Sequence, residues 1–330
     1  MALIGSILGQ AVGDALGFVV EGYSSDVCES YNKMIIEKKA NPIMTRLSQF
    51  TFGQYSDDTQ LAREFLISVY QKEGMIDPAV YALRIAMLFQ PGAYTIVGYG
   101  HQTERGALAI RDGESYKRSG CTRGNGNGSA MRSAQIGIVY NMLQASSKPL
   151  YEVVKELSAI THASPNTIDG AVVIAYAGLY AAQSSGHSWD NANFVRYLHE
   201  IPMPIHWVEK TTKLVSASYH DALAIVKETA MAYGEKVHAN AIGHGVIQTV
   251  LWAVYCASQY PDDFCKAIGC AIQAGGDVDT TAAIVGAIVG ARVGKDAIPA
   301  NWISAIHDTN TVWTASKLES LCEKITLSFK

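Results

Sequence analysis

Two rows of small residues constrain this chain more than any other feature. Gly5, Gly9, Gly13 and Gly17 recur at every fourth residue near the start, and Ala282, Gly286, Gly290 and Gly294 repeat that spacing near the end. A four-residue interval places each row on one face of a helix. Each glycine inside a helix costs about 0.5 to 1 kcal/mol relative to alanine, so such rows need compensation. Two arrangements supply it. Either the early and late helices lie against each other with their backbones in close approach, or each row leaves room for bulky neighbours from elsewhere. Both place the first and last thirds of the chain in one core.

The remaining periodicity is helical. In "DDTQLAREFLISVYQ" Leu61, Phe65 and Val69 share a face with Ala62 and Leu66 beside them, while Arg63 and Glu64 fall on the other side. Asp57 with Gln60 reads as a variant capping box, and Asp77-Pro78 opens a further helix, "AVYALRIAMLF". Similar patterns predict helices over about 149–161, 168–183, 190–200, 241–258, 262–273 and 315–328. Only "YTIVGYG", Tyr94 to Gly100, suits a short extended piece, and it suits a loop equally. No linker, low-complexity tract or repeat divides the chain, which predicts one all-α domain over 1–330.

Composition narrows the function classes. With 48% hydrophobic residues the chain can fill a large core, and disorder is excluded. A net charge of −4, from 26 basic and 30 acidic residues spread without runs, offers no footprint for a nucleic-acid backbone. Six cysteines without a C-x-x-C pair point to reduced thiols in a cytoplasmic protein rather than a disulfide scaffold or zinc site. The apolar start lacks a basic leader and carries Asp14, so it reads as mature structure. The longest apolar run, Gly170 to Ala182, falls short of the roughly 20 residues of a membrane span. A soluble chain is expected, as a monomer, with neither nucleic acid nor membrane as partner.

The chemistry concentrates at two helix mouths. "YSDDTQ" places Asp57 and Asp58 at one, and "GGDVDTT" places Asp277 and Asp279 at the other. One N-cap needs one side chain, so two carboxylates at each mouth exceed what capping requires, although solvated caps remain an ordinary explanation of acidic pairs. Brought together, they would repel one another. A hard divalent cation resolves that conflict, with Ser56 and Thr280 adding hydroxyls, and Gly275 and Gly276 letting the backbone turn sharply. Neither motif contains His or Cys, which argues against zinc.

Six segments in order, "GQAVGDALGFVVEG", "YSDDTQ", "GYGHQTERGAL", "GNGSAMRSAQIG", "THASPNTIDGAVVIA" and "GGDVDTTAAIVGAIVGA", resemble the ADP-ribosylglycohydrolase family, which includes the dinitrogenase reductase-activating glycohydrolase. The resemblance implies a compact, orthogonal all-α bundle with two Mg²⁺ or Mn²⁺ ions in a cleft. It assigns Ser56, Asp57, Asp58, Asp277, Asp279 and Thr280 as metal ligands, and Glu21 as the glutamate beside the metals. Read alone, Glu21 is a surface residue at a helix end, and Asp14 a local hydrogen-bonding residue. Val278 stands where the family often has Thr or Ser, and Ser56 where it often has Thr.

Three further segments fit a ligand. "TRGNGNGSAMRS" is by default a flexible turn, yet its backbone N–H groups could cradle a phosphate. The resemblance assigns Gly126, Asn127, Gly128 and Ser129 to a diphosphate and ribose, with Arg132 holding that loop, facing an anion or pairing at the surface. Tyr99, between Gly98 and Gly100, suits stacking on a nucleotide or ordinary packing. His162 resembles the family histidine near the nucleotide, and the other eight histidines show no spacing that carries chemistry.

The activity implied is metal-assisted hydrolysis of the bond between ADP-ribose and a modified side chain of arginine or serine type, with Glu21, Asp58 and Asp279 as catalytic candidates. Two alternatives are an inactive ADP-ribose binder, which the intact aspartates oppose, and a di-metal phosphohydrolase acting on a nucleotide diphosphate. Truncating Asp277 is expected to abolish turnover and, by relieving repulsion, to leave the fold intact.

Overall fold

The computed structural model describes residues 1–42, 51–90, 96–310 and 312–329. Among these, the α-helices are α1 (Ala2–Phe18), α2 (Ser25–Tyr31), α3 (Asp57–Gln71), α4 (Pro78–Met87), α5 (His101–Arg111), α6 (Ala134–Leu143), α7 (Leu150–Ser158) and α8 (Pro165–Gln183). They continue with α9 (Asn191–His199), α10 (Thr211–Leu214), α11 (Tyr219–Ala232), α12 (Val246–Gln259), α13 (Phe264–Gln273), α14 (Val278–Val293), α15 (Ala300–Ala305) and α16 (Ala315–Ser328). Among the described residues extended pairing is confined to isolated bridges, so the fold is all-α.

The glycine rows meet each other. A Cβ on Gly5 would overlap the carbonyl of Gly290, on Gly9 that of Gly286, on Gly13 that of Ala282 and on Gly17 that of Val278. The helices therefore run antiparallel, in a register stepping four residues on each side. Each carbonyl oxygen lies against a facing Cα, the arrangement of Cα–H···O contacts worth about 0.5 to 1 kcal/mol each. That offsets the conformational cost of the glycines. Gly294 departs from the expected row: at φ +77° it ends α14 instead of lying within it.

This pair forms the axis of the molecule. Every residue of α14 from Val278 to Arg292 is buried, with α8, α12 and α13 against it, while α3, α6 and α16 pack around α1. A helix apolar on all sides belongs in an interior. The polar side of α3 is covered as well, and one expected helix boundary moves. Arg63 and Glu64 are buried, because Arg63 pairs with Glu64 at 2.7 Å and with Asp308 at 3.2 Å, while Arg84 of α4 donates to Glu64 at 2.7 Å. Periodicity places them opposite the apolar face but does not reveal that α4 and the segment around Asp308 cover them. The helix expected from 241 starts instead at Val246, since residues before it form a strap described below. Of the candidate extended piece, Tyr94 and Thr95 lie outside the described residues and 96–100 is loop.

Candidate active site

The α1–α14 register builds one wall of the site. Gly17 sits against Val278 and Asp279, so the turn following α1 lies directly on the turn preceding α14. Gly22 N donates to Gly276 O at 2.7 Å and Gly276 N to Tyr23 O at 2.9 Å. Gly275 and Gly276 adopt φ of +72° and +85°, a region in which a side chain would be strained. On the other flank Ile242 N donates to Gly275 O at 3.0 Å and Asp277 N to Ile242 O at 2.9 Å. So held, Glu21, Asp277 and Asp279 each bring a carboxylate oxygen within 4.8 Å of the others.

The second aspartate pair is fixed from α1 as well. Asp14, one turn beyond Gln10, accepts Ser56 N at 2.9 Å, Thr59 N at 3.1 Å and Thr59 Oγ1 at 2.7 Å. Its partners lie more than forty positions away in the chain, so Asp14 is a long-range clamp on α3 rather than a local bonding residue. Gln10 Nε2 donates to Asp58 O at 2.8 Å and to Met131 O at 3.0 Å, tying α3 to the glycine-rich loop. The N-cap of α3 is Ser56, not Asp57: Ser56 is extended, and its Oγ accepts Asp58 N at 3.3 Å. The same hydroxyl donates to Asp58 Oδ2 at 2.9 Å, and Thr280 Oγ1 donates to that oxygen at 3.4 Å, joining the two motifs.

Crowding of buried acids dominates the electrostatics. Burial, then Asp14, Asp57 and Asp277, push Asp58 well above the ordinary carboxylate range. Burial followed by Glu21, Asp277 and Asp58 does the same to Asp279, and burial with Asp14, Glu21 and Asp277 to Asp57. Burial also works against ionised Asp277, yet hydrogen bonds with His244, Asp279 and Asn127 hold it below the ordinary value. Asn127 Nδ2 donates to Asp277 Oδ2 at 2.6 Å. Asp277 is thus the settled anion of the group, and Asp58 and Asp279 are the strained ones.

A cleft of about 440 Å³ opens onto these carboxylates, and Gly98, Tyr99, Gly100, Gly126, Asn127, Gly128, His162 and His244 line its other sides. Gly126 N donates to Gln102 Oε1 at 3.1 Å and Asn127 N to His244 O at 3.1 Å, so two of the loop's N–H groups are already used. Those of Gly128 and Ser129 find no protein acceptor among the described residues. The Ser129 hydroxyl turns away, donating to Thr167 O at 3.1 Å. A side chain at Gly128 would collide with His162, whose ring lies under the loop. Arg132 is buried instead of pairing at the surface; it donates to Thr161 Oγ1 at 2.7 Å, and Thr161 Oγ1 lies 2.7 Å from His162 Nδ1. Burial, then the Arg132 charge, pushes the His162 pKa down to about 3, so the ring is neutral.

Tyr99 is half-buried, braced edge-on against Phe89 at 5.0 Å between ring centres. His244 is the residue missed in the sequence. Its imidazole is 75% exposed at the cleft rim with Nδ1 3.1 Å from Asp277 Oδ2. The strap carrying it is pinned by the Gly126–Gly245 bridge and by Glu235, which accepts Ile247 N at 2.7 Å. A lone histidine in "AIGHGV" carries no spacing signal, since its partner lies over thirty residues away.

The profile of the family described as ADP-ribosylglycohydrolase matches residues 2–330. The chain belongs to that family. A protein of Archaeoglobus fulgidus is 29% identical, with 92% of this chain and 90% of that protein aligned. The ADP-ribosylarginine hydrolase Tri1 of Pseudomonas putida is 26% identical over 92% of this chain and 73% of its own length. Human ADP-ribosylhydrolase ARH3 is 26% identical over 90% and 87%. A solved structure titled ADP-ribosylglycohydrolase-related protein complex superposes with a TM-score of 0.67 at 21% identity, covering 100% of this chain and 98% of that one, and so shares the fold. The protein is an ADP-ribosyl glycohydrolase of the all-α type.

Proposed function

We propose that this enzyme hydrolyses the glycosidic bond between ADP-ribose and a modified arginine or serine side chain, releasing ADP-ribose, and that it does so with two Mg²⁺ or Mn²⁺ ions. One observation carries the metal requirement. Asp58 Oδ1 and Asp279 Oδ1 are buried with no hydrogen-bond partner among the described residues, inside a group of acids that raise one another's pKa. A buried anionic oxygen without a partner is costly, and a cation is the partner that oxygen chemistry selects. Ser56, Asp57, Asp58, Asp277, Asp279 and Thr280 are the donors. Divalent ions held there would offset the acid charge, fix the ribose hydroxyls and bring the pKa of a bound water from ~15.7 towards neutrality.

The protein's own groups divide the remaining work. Glu21 stands half-exposed at the rim beside Asp277 and Asp279, where it can pass a proton to the leaving group or take one from water. His162 sets its neutral ring beneath the glycine loop, and the N–H groups of Gly128 and Ser129 suit diphosphate oxygens. Asn127 orients Asp277, and Tyr99 with its flanking glycines offers a ring face to the nucleotide. The arginine acceptor draws support from the name of the Pseudomonas relative.

The test is chromatography of the nucleotide released from arginine- and serine-ADP-ribosylated proteins, each with Mg²⁺ and with EDTA. ADP-ribose appearing only with metal supports the reading and identifies the acceptor. AMP in its place would mean a diphosphate hydrolase, and no release with ADP-ribose still raising Tm would mean a binder.

A further inference from the structure

A second cavity, of about 540 Å³, lies between α13 and the segment formed by α2 and the π-helical turn Asn32–Ile36 that follows it, and it shares no lining residue with the active-site cleft. Cys270, on α13, lines this groove and retains 7% exposure. Directly behind it, fully buried on α12, is Cys256, with the two Sγ atoms 2.9 Å apart. A disulfide bond is about 2.04 Å long, so the sulfurs need travel less than ~1 Å to bond. Tyr219 supplies an independent observation. It lines the same groove, and its buried hydroxyl has no hydrogen-bond partner among the described residues, an unsatisfied donor within electrostatic reach of both sulfurs.

We propose that Cys270 and Cys256 are a redox-convertible dithiol, oxidised to a disulfide by a small hydroperoxide that enters the groove. Cys270 is the attacking sulfur and Cys256 the resolving one. In the first step Cys270 Sγ attacks one oxygen of ROOH, the O–O bond breaks, and the thiol proton leaves with the other oxygen as ROH. In the second step Cys256 Sγ attacks the sulfur of the Cys270 sulfenic acid, the S–O bond breaks, and hydroxide leaves with the Cys256 proton as water. Two electrons pass from the thiols to the peroxide, and a dithiol reductant reverses the change.

Access fixes the order of events. Only one sulfur of the pair meets the groove, and burial keeps the Cys256 thiol well above its ordinary pKa, hence protonated until the sulfenic acid forms beside it. A pair held reduced at rest and oxidised transiently is what a reducing compartment permits. The crosslink would join α12, which starts beside His244, to α13, which leads into Gly275 and Asp277.

Treatment of the full-length protein with hydrogen peroxide, followed by denaturation, thiol counting and peptide mass spectrometry without reductant, tests this. The expected result is loss of two of the six thiols, a peptide linking Cys256 to Cys270, and recovery with dithiothreitol. Cys265→Ser, which removes the other groove-lining thiol, keeps that result. Cys256→Ala stops at a sulfenic acid on Cys270 that dimedone traps. A Cys265–Cys270 link, oxidation confined to Cys265, or six intact thiols in the wild-type protein would overturn the proposal. The wild-type crosslink decides the matter even if a variant fails to fold.

Discussion

Replacing Asp279 by Asn should make the metal-free protein more stable and the metal-loaded protein no better than before. Asp279, Asp277 and Glu21 lie within 4.8 Å of one another. At an effective dielectric constant of 20, two unit charges at that distance repel by about 3.5 kcal/mol. Proton uptake limits the penalty: neutralising a carboxyl of ordinary pKa 3.8 from solution at pH 7 costs about 4.4 kcal/mol. The gain from Asp279→Asn at pH 7 in EDTA is therefore bounded near 4 kcal/mol, and we expect roughly 1.5 to 4. For a chain of this length the unfolding entropy is about 0.7 kcal/mol per kelvin, which makes Tm rise by about 2 to 6 °C. The sign with pH is fixed. Asp279 has a raised pKa, so above the ordinary carboxylate range the native state keeps a proton that the unfolded chain has lost, and stability falls as pH rises. Asp14, pushed up to about 6 by burial, adds the same slope between 3.8 and 6. At pH 4.5 the proton already does what the substitution does, and the gain shrinks below about 1 kcal/mol. Saturating Mg²⁺ should raise Tm of the wild type and leave that of the variant unchanged. Thermal unfolding from pH 4 to 8, with EDTA and with Mg²⁺, reads all of this. An unchanged or lower Tm in EDTA at pH 7, or a gain that persists at pH 4.5, would refute the reasoning.

Four further outcomes follow from the same contacts. Asp277→Asn should abolish turnover and the Mg²⁺ shift in Tm with less stabilisation than expected for Asp279→Asn, because relief of the repulsion on Asp57, Asp58 and Asp279 is set against the loss of the contacts that hold Asp277 ionised, those with His244, Asp279 and Asn127. Gly286→Ala should lower stability by about 3 kcal/mol or more in urea unfolding, since its Cβ meets the Gly9 backbone, whereas Gly269→Ala, whose nearest neighbour is a side-chain methyl at 3.5 Å, should be neutral or gain up to about 1 kcal/mol. The His162 ring should show no NMR titration between pH 5 and 8, and its contribution to stability, present above about pH 6.5, should fade as pH falls towards 3. Glu64→Ala should cost about 3 to 5 kcal/mol by denaturant unfolding, because it strips the carboxylate from buried Arg63 and from Arg84.

What the sequence reveals and what it conceals divide along a physical line. The glycine rows are legible because a backbone contact between helices demands a missing side chain at every step, and that demand repeats at the helical period. The aspartate pairs are legible because no local role uses two buried carboxylates at one helix mouth. Roles assigned by a distant partner leave no such trace. Arg63 and Glu64 have the polarity of a solvated face and are buried because Arg84 and Asp308 meet them there. The glycine-rich loop resembles a set of free N–H donors, yet Gln102 and the carbonyl of His244 take two of them, leaving Gly128 and Ser129.

His244 is the sharpest case, since its place depends on three separate segments. Gly22 and Ile242 hold the turn that carries Asp277, the Gly126–Gly245 bridge holds the strap, and Asn127 contacts both. Asp277 therefore has its pKa lowered by His244, Asp279 and Asn127, of which His244 and Asn127 approach from different loops. Of the four aspartates at the helix mouths it is the one whose pKa is held below the ordinary value, while those of Asp57, Asp58 and Asp279 are raised, so protons compete with a cation at those three. Metal affinity should accordingly rise with pH, and loss of His244 should flatten that dependence less than loss of Asp279. The reason is that removing His244 changes the environment of one settled charge, whereas removing Asp279 deletes a site of proton competition.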